Sequence, residues 1–233
     1  MWTLVTGGGK RLGAALCLAL AEKGRAVAVH YRKSEEEAEA VVKKCKELGA
    51  KAAAIQGDFS SSVSVNDFIA RYLTQFPETE GLINNVGNYF ISSASKTPDE
   101  EWIALFQTNL HAPFALSNGL LPSLMRNRGQ IINIGVAGLH RHKANIYSAA
   151  YTLTKQGLLG LTLSLARELA PHGVRVNMVS PGELDISVDH HLIPMQRSAS
   201  CAEVGRVINF LLDPASFYIT GQNIEISGGL GLS

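Results

Sequence analysis

The feature that most constrains the fold of this chain is a regular alternation of short apolar runs with longer segments of helical spacing. The apolar runs predict strands at Trp2–Thr6, Ala26–Tyr31, Ala52–Gln56, Gly81–Val86, Gln130–Ile134, Val174–Val179 and Asn223–Ile226. The segments between them predict helices at Leu12–Lys23, 34–49, Val63–Phe76, Pro98–Phe106, Pro113–Arg126, Ala144–Leu169 and Ala202–Leu212. Strands and helices that alternate in this way form right-handed crossovers and a parallel sheet covered on both faces.

Composition favours one soluble α/β domain that spans residues 1–233. The chain is 46% hydrophobic and 18% charged, and it carries no linker, internal repeat or low-complexity tract. A net charge of +1 gives no reason to expect nucleic acid or a membrane surface as a partner. No run approaches the about 18 apolar residues of a membrane span. No leader segment precedes the first predicted strand, and the three cysteines are widely separated, so we expect reduced thiols and a cytoplasmic protein.

A glycine-rich loop, TGGGKRLG at 6–13, joins the first predicted strand to the first predicted helix. In this context backbone N–H groups and the helix N-terminus can hold a pyrophosphate. Such turns also arise for geometric reasons alone, so the glycines leave nucleotide binding open. The loop carries Lys10 and Arg11, and the commonest version of such a loop has a glycine where Arg11 stands. These cations are either solvated or face a phosphate or an anionic substrate.

The residues after the second predicted strand favour NADP(H) over NAD(H). Arg32, Lys33 and Ser34 stand where NAD-preferring sites have an acidic residue that binds the ribose hydroxyl. Two cations and a hydroxyl attract a 2′-phosphate, which a carboxylate would repel. The alternative is that Ser34 only caps the next helix and that both cations are solvated.

Tyr151 and Lys155 are separated by one helical turn, so a helix places both side chains on one face. A free tyrosine has a pKa of about 10, and a neighbouring ammonium lowers the pKa of a phenol. Taken alone, this spacing favours a surface pair over a catalytic one.

Seven motifs in order along the chain resemble the short-chain dehydrogenase/reductase family. They are TGGGKRLG, Asp58, the NNVG at Asn84–Gly87, Asn109, the Tyr151–Lys155 pair, Pro181–Gly182, and ITGQNIEISGG at 219–229. The Lys-Arg loop followed by HYRKS is most similar to pteridine reductases and dihydromonapterin reductases, and more loosely to 3-oxoacyl-carrier-protein reductases. The resemblance implies a Rossmann fold with a doubly wound, seven-stranded parallel sheet, hydride transfer involving a nicotinamide cofactor, and a homotetramer or homodimer.

The resemblance also implies roles for individual residues. Tyr151 is the proton donor during reduction, Lys155 lowers the pKa of Tyr151 and binds the nicotinamide ribose, and Asn109 holds a water that relays protons. Residues expected to bind NADP(H) are Gly7, Gly9, Lys10, Arg11, Leu12, Gly13, Tyr31, Arg32, Lys33, Ser34, Asp58, Phe59, Asn84, Asn85, Val86, Gly87, Tyr151, Lys155, Pro181 and Gly182.

One member of the family's catalytic set is missing. A serine normally follows the fifth strand, and pteridine reductases often have an aspartate there, but this chain has Gly135 and Val136. Together with Tyr89, these two residues are expected to contact the substrate. Losing one preorganised donor costs a ketone reductase roughly two to three orders of magnitude in rate. Hydride addition to a C=N bond develops no oxyanion, so the gap favours a dihydropterin-type substrate, which Tyr89 is placed to stack upon. The alternatives are a 3-oxoacyl-type ketone reductase and an NADP-binding regulator without activity.

Two further features are given no catalytic role. Asp185, Asp189, His190 and His191 follow Pro181–Gly182 where the family has a substrate lid, and we expect no metal there. Apolar residues of the helix that carries Tyr151, such as Leu158, Leu161 and Leu165, are expected to lie in a subunit interface rather than in the monomer core.

Overall fold

The structure is a computed structural model that describes residues 1–140, 144–184, 193–230 and 232. Its strands are β1 (Trp2–Val5), β2 (Ala26–Tyr31), β3 (Ala52–Gln56), β4 (Thr79–Asn84), β5 (Gln130–Ile134), β6 (Arg175–Pro181) and β7 (Asn223–Ile226). Its α-helices are α1 (Arg11–Ala21), α2 (Glu35–Glu47), α3 (Ser62–Gln75), α4 (Asp99–Phe106), α5 (Ala112–Arg126), α6 (Ala149–Leu169) and α7 (Cys201–Leu212). No helix in these residues is long and apolar enough to cross a membrane.

The seven strands form one parallel sheet in the order β3-β2-β1-β4-β5-β6-β7. The order reverses between β1 and β4, and in such sheets ligands bind beyond the carboxyl ends of the strands at that point. The fold class predicted from the sequence is therefore confirmed.

Two apolar layers cover the sheet. One layer packs α1, α2 and α7 against side chains such as Val29 and Val179, and the other packs α3, α5 and α6 against side chains such as Leu4 and Leu82. Leu158 and Leu165 are almost completely buried within the monomer, and Leu161 packs against the same clusters. The expectation that these leucines form a subunit interface was therefore wrong, because they occupy the stripe of α6 that faces the sheet.

The helix limits agree with the prediction to within two residues except in two regions, each for a local reason. The long helix begins at Ala149 rather than Ala144, because the Asn145 side chain accepts the backbone N–H groups of Tyr147 and Ser148 and so holds the preceding loop. The predicted break between α4 and α5 is instead a π-helical turn at Gln107–His111 that joins the two helices. Such turns insert an extra residue into a helix, and they are frequent at functional sites.

Candidate active site

The glycine loop is shaped by close backbone contacts. Gly7 has a φ of +64°, which favours glycine, and a Cβ on Gly13 would collide with the Gly7 carbonyl oxygen. A Cβ on Gly9 would lie 3.3 Å from the Ala38 nitrogen and 3.4 Å from the Ser34 hydroxyl. The loop therefore approaches the start of α2 closely and leaves its backbone open to a ligand.

Arg11 occupies a position in this loop that suits glycine. Its φ is +47°, in the left-handed region, and its side chain is exposed. A non-glycine residue in this region costs about 1 kcal/mol. The loop therefore retains a cation at some conformational cost.

A cleft of about 440 Å³ opens beside the loop, and we call it the loop cleft. Its walls combine the loop, the ends of β2 and β3, and the residues after β4. Ten of the residues predicted to bind the cofactor line it: Gly7, Gly9, Lys10, Tyr31, Arg32, Lys33, Ser34, Asp58, Phe59 and Val86.

Two ion pairs lie at the charged end of the loop cleft. Lys10 Nζ is 2.6 Å from Glu37 Oε1, and Arg32 Nε is 3.2 Å from Asp58 Oδ1. The hydrogen bond from Lys10 lowers the pKa of Glu37. Burial alone would raise the pKa of Asp58, but hydrogen bonds from Ser60 and the nearby Arg32 guanidinium lower it below its usual value. Both carboxylates are therefore ionised at neutral pH, while Lys33 has no ion-pair partner among the described residues.

Tyr151 and Lys155 lie on one face of α6, as predicted. Lys155 is 4% exposed, and its ammonium donates a 2.7 Å hydrogen bond to the carbonyl oxygen of Ile134 at the end of β5. The Lys155 nitrogen lies 5.7 Å from the centre of the Tyr151 ring. A Cβ on Gly87 would lie 3.4 Å from the Lys155 nitrogen, so the glycine leaves room beside the ammonium.

Burial dominates the acidities of this pair. Burial, together with Tyr89, raises the pKa of Tyr151 to about 12, and burial lowers the pKa of Lys155 to about 8. In this structure, burial therefore outweighs the lowering of the Tyr151 pKa that was expected from Lys155. A phenol that stays protonated at neutral pH is suited to donate a proton.

Asn109 lies on the π-helical turn, where its side chain braces the loop after β4. Its Oδ1 accepts the Asn88 N–H at 2.8 Å, and its Nδ2 donates to the Asn88 carbonyl at 2.9 Å and to Thr154 Oγ1 at 3.1 Å. Thr154 Oγ1 in turn donates to the Tyr151 carbonyl at 2.6 Å. Both amide protons of Asn109 are therefore used, which leaves only its oxygen to accept a hydrogen bond from a water.

A second cleft of about 440 Å³ lies against Tyr151, and we call it the tyrosine cleft. Tyr89 and Val136, both predicted to contact the substrate, line it, and the Tyr89 ring packs edge-on against Tyr151 with centroids 4.8 Å apart. Gly135, the third predicted substrate residue, lies behind this wall, because a Cβ there would collide with the Ser180 hydroxyl and lie 2.7 Å from Met178 Sδ. Packing from β6 therefore excludes a serine at position 135.

The remaining predicted site residues support the two clefts or flank them. Asn84 is buried and donates to Asn133 within the sheet, and Asn85 ties its side chain to the carbonyls of Thr6 and Gly7. Pro181 ends β6 and accepts the Ala137 N–H. Leu12 packs against the core, and Gly182 hydrogen-bonds to Ile226.

Asp185, Asp189, His190 and His191 lie outside the described residues, and within the described residues no group of acidic, histidine and cysteine side chains could hold a metal.

The sequence matches the family model described as short chain dehydrogenase over residues 1–196. The chain belongs to the short-chain dehydrogenase family. It is therefore an NAD(P)-dependent oxidoreductase.

Individual relatives of this short-chain dehydrogenase cover almost the whole chain. It is 34% identical over 240 residues to the 3-oxoacyl-[acyl-carrier-protein] reductase FabG of Staphylococcus epidermidis, with 97% of each chain covered. An acetoin dehydrogenase YohF from Salmonella typhimurium has a similar solved structure, with a TM-score of 0.91, 27% identity, and coverage of 99% of this chain and 96% of that one. A blue fluorescent protein from a metagenomic library, solved in complex with NADPH, matches with a TM-score of 0.91, 26% identity, and coverage of 99% and 97%.

Sequence reasoning missed His30, which organises the loop cleft of this short-chain dehydrogenase. His30 Nδ1 accepts the Gly7 N–H at 2.9 Å, so its Nε2 carries the proton and donates to the Gly57 carbonyl at 3.2 Å. The His30 ring stacks on Phe59 with centroids 4.2 Å apart. Burial lowers the pKa of His30 to about 4, which keeps the acceptor nitrogen free at neutral pH. The one available signal was a polar residue within the otherwise apolar run AVAVHY.

We expect His30→Leu to weaken NADPH binding by about tenfold, because the partly buried Gly7 N–H loses its acceptor and the loop loses its anchor. His30→Asn should recover part of this affinity, since its side-chain oxygen can replace Nδ1. The measurement is the dissociation constant of NADPH by nicotinamide fluorescence. His172→Leu, which changes an exposed histidine, is the matched control. An unchanged dissociation constant in His30→Leu would show that the loop keeps its shape without this anchor.

Glu37 was also missed, because the acidic residues at the start of α2 were interpreted only as the first turn of a helix. Glu37 lines the loop cleft, and its carboxylate forms an ion pair with the Lys10 ammonium. The residue types that follow a strand do not predict this ion pair, because the contact depends on how closely the glycine loop and α2 approach each other.

Proposed function

We propose that this protein uses NADPH to reduce a ketone of the 3-oxoacyl thioester class to a hydroxyl. The observation that carries the proposal is the position of Tyr151, with Lys155 one helical turn away, beside a cleft that has Val136, Leu139 and Ile146 in its wall and can take a carbonyl carrying an acyl chain. The whole-length similarity to a 3-oxoacyl-[acyl-carrier-protein] reductase supports the same substrate class.

The apolar wall continues to the mouth of the tyrosine cleft. Ser92 and Ser148 pair as neighbouring extended segments, which brings Ile91 close to Ile146 and Tyr147. These three side chains are 72%, 63% and 71% exposed. An acyl chain would cover apolar surface here, which is worth about 25 cal/mol per Å².

The proposed chemistry uses the described residues as follows. A bound nicotinamide would supply the hydride that adds to the carbonyl carbon. The phenol of Tyr151 donates its proton to the carbonyl oxygen as negative charge develops there. The ammonium of Lys155, nearby in a buried site, stabilises the resulting phenolate. Asn109 holds the loop after β4 and the first turns of α6 in register through Asn88 and Thr154.

NADPH is proposed over NADH because of the charges in the loop cleft. Arg32, Lys33 and the Ser34 hydroxyl all line it, and Lys33 is exposed and lacks an ion-pair partner among the described residues. A 2′-phosphate placed beside them gains charge-assisted hydrogen bonds. Glu37 and Asp58 weaken this preference for NADPH, because their carboxylates form ion pairs with Lys10 and Arg32.

A dihydropterin is the second candidate substrate, and one observation favours it. No side chain at the exit of β5 can donate a hydrogen bond to an oxyanion, and the Tyr89 ring is 59% exposed at the cleft, where a planar ring can stack on it. Reduction of a C=N bond places no oxyanion in the site.

The deciding experiment follows NADPH oxidation with acetoacetyl-coenzyme A and with dihydrobiopterin in parallel, and repeats both with NADH. Turnover of the thioester with NADPH supports the proposal. Turnover of the pterin alone would assign the second candidate. Tight NADPH binding without turnover of either substrate would favour a regulator, and equal rates with NADH would remove the cofactor preference.

The buried ammonium of Lys155 predicts an alkaline limit on activity. Its pKa is lowered to about 8, so the charge is present below pH 8 and is lost as the pH rises through that value. Tyr151 stays protonated through this range because its pKa is about 12. We therefore expect kcat/KM for NADPH to be flat below pH 8 and to fall about tenfold per pH unit above it. A profile that stays flat to pH 10 would contradict the assignment.

We also propose that the protein assembles as a homo-oligomer through α4, α5 and α6. Ile103, Phe114, Leu153 and Leu163 lie on these helices and are 44% to 65% exposed. Light scattering on the purified protein tests this, and a monomer at micromolar concentration would refute it.

A further inference from the structure

The exit of β5 offers no side-chain donor for a ketone oxygen. Residues 135 to 138 are Gly, Val, Ala and Gly, which lack side-chain donors. Three of their backbone N–H groups are already used: Gly135 donates to Val179, Ala137 to Pro181, and Gly138 to the Glu225 carboxylate at 2.7 Å. If the protein reduces ketones, a stabilising hydrogen bond from a side chain must come from elsewhere in the tyrosine cleft.

Among the polar side chains that line this cleft, Ser148 is the best shielded from water. Ser148 is 3% exposed, whereas Tyr89 and Tyr147 are 59% and 71% exposed. Ser148 stands three residues before Tyr151, so the first turn of α6 places the two on the same side of the helix. Gln156, five residues after Tyr151, falls on a different face.

The Ser148 hydroxyl is also held in a way that leaves its proton available. Ser148 is the N-cap of α6 but makes no side-chain capping bond, unlike Ser61 at α3 and Ser200 at α7. Its Oγ instead accepts a 3.0 Å hydrogen bond from Asn145 Nδ2. Because that amide supplies the proton in this contact, the hydroxyl hydrogen of Ser148 is free to point elsewhere.

Asn145 is itself fixed on several sides. Its Oδ1 accepts the N–H groups of Tyr147 and Ser148, and its Nδ2 also donates to Thr152 Oγ1 at 2.8 Å. Both N–H groups of the Asn145 amide are therefore already in hydrogen bonds, so the amide cannot donate to the substrate oxygen. It acts as a positioning residue that aims the serine hydroxyl.

We propose that Ser148, oriented by Asn145, donates the hydrogen bond that stabilises the developing oxyanion of a ketone substrate. This inference rests on the proposed function. As the hydride adds to the carbonyl carbon, the electron pair of the C=O π bond moves to oxygen. The Tyr151 proton is transferred to that oxygen, while Ser148 keeps its own proton and only donates a hydrogen bond to it.

The test compares Ser148→Ala and Ser148→Thr with wild type on acetoacetyl-coenzyme A. Ser148→Ala should lower kcat by about a hundredfold, with KM changed by less than about threefold, because the lost contact forms mainly in the transition state. Ser148→Thr retains a hydroxyl and should recover most of kcat. NADPH affinity should stay at the wild-type value in both variants, since Ser148 does not line the loop cleft.

Ser61→Ala is the matched control, because it removes a serine that caps another helix, α3, and that lines neither cleft. It should leave kcat unchanged. Ketone turnover that Ser148→Ala leaves intact, or a loss that Ser148→Thr fails to restore, overturns the role of Ser148 alone. A wild-type enzyme that turns over no ketone overturns both this role and the proposed function.

Discussion

Tyr151→Phe should lower the rate of ketone reduction by about a thousandfold while NADPH still binds with its wild-type affinity. The substitution removes the phenolic proton and little else. The aromatic ring, which packs edge-on against Tyr89 at 4.8 Å, is retained, so the tyrosine cleft keeps its wall. The measurements are kcat on acetoacetyl-coenzyme A and the NADPH dissociation constant on the same preparation.

Tyr218→Phe is the control for this substitution, because Tyr218 is completely exposed and its hydroxyl lies outside both clefts. Its kcat should match wild type. If Tyr151→Phe keeps activity within tenfold of wild type, the proton must come from another donor, and the assignment of Tyr151 would be wrong.

Gly13→Ala should disable the glycine loop and destabilise the whole protein. The added Cβ would collide with the Gly7 carbonyl and lie 2.8 Å from Asn85 Nδ2, which itself binds the carbonyls of Thr6 and Gly7. The backbone has to shift, since a carbonyl cannot swing away as a flexible side chain can. We expect the free energy of unfolding to fall by about 3 kcal/mol and NADPH affinity to fall by about a hundredfold.

Gly160→Ala is the matched control, a glycine substitution that we expect to stabilise the protein. Gly160 lies within α6, and a Cβ there meets nothing within 4 Å. This variant should gain about 1 kcal/mol because alanine has the higher helix propensity. Urea unfolding and NADPH titration measure both effects. A Gly13→Ala protein with wild-type stability and affinity would mean that the loop tolerates a different path.

Much of the fold could be predicted from the sequence because its signals are local. The limits of β2, β3, β5 and β7 were predicted without error, since each apolar run is bounded by charged, glycine or turn residues within a few positions. The start of α6 was placed too early. The side chain of Asn145 holds the preceding loop, and the pattern of apolar residues does not register such a contact.

The site was predictable only in part for the same reason. Tyr151 and Lys155 are one helical turn apart, so their proximity follows from local structure. His30 connects Gly7 and Gly57, which come from separate strand ends, so its role depends on the assembled sheet. The need for glycine at position 135 also depends on the assembled sheet, because the space that a serine would need is filled by Ser180 and Met178 from the neighbouring strand.

The strand order has a consequence for how the chain folds as it is synthesised. β1 pairs with β2 on one side and with β4 on the other, and Trp2 lies opposite Thr79. At ribosomal rates of roughly 5–20 residues per second, the N-terminal strand waits on the order of ten seconds for its second partner. During that time an apolar strand edge is unpaired, and such edges promote aggregation. Among the interior strands of the finished sheet, β1 is therefore the one whose edge stays open longest during synthesis.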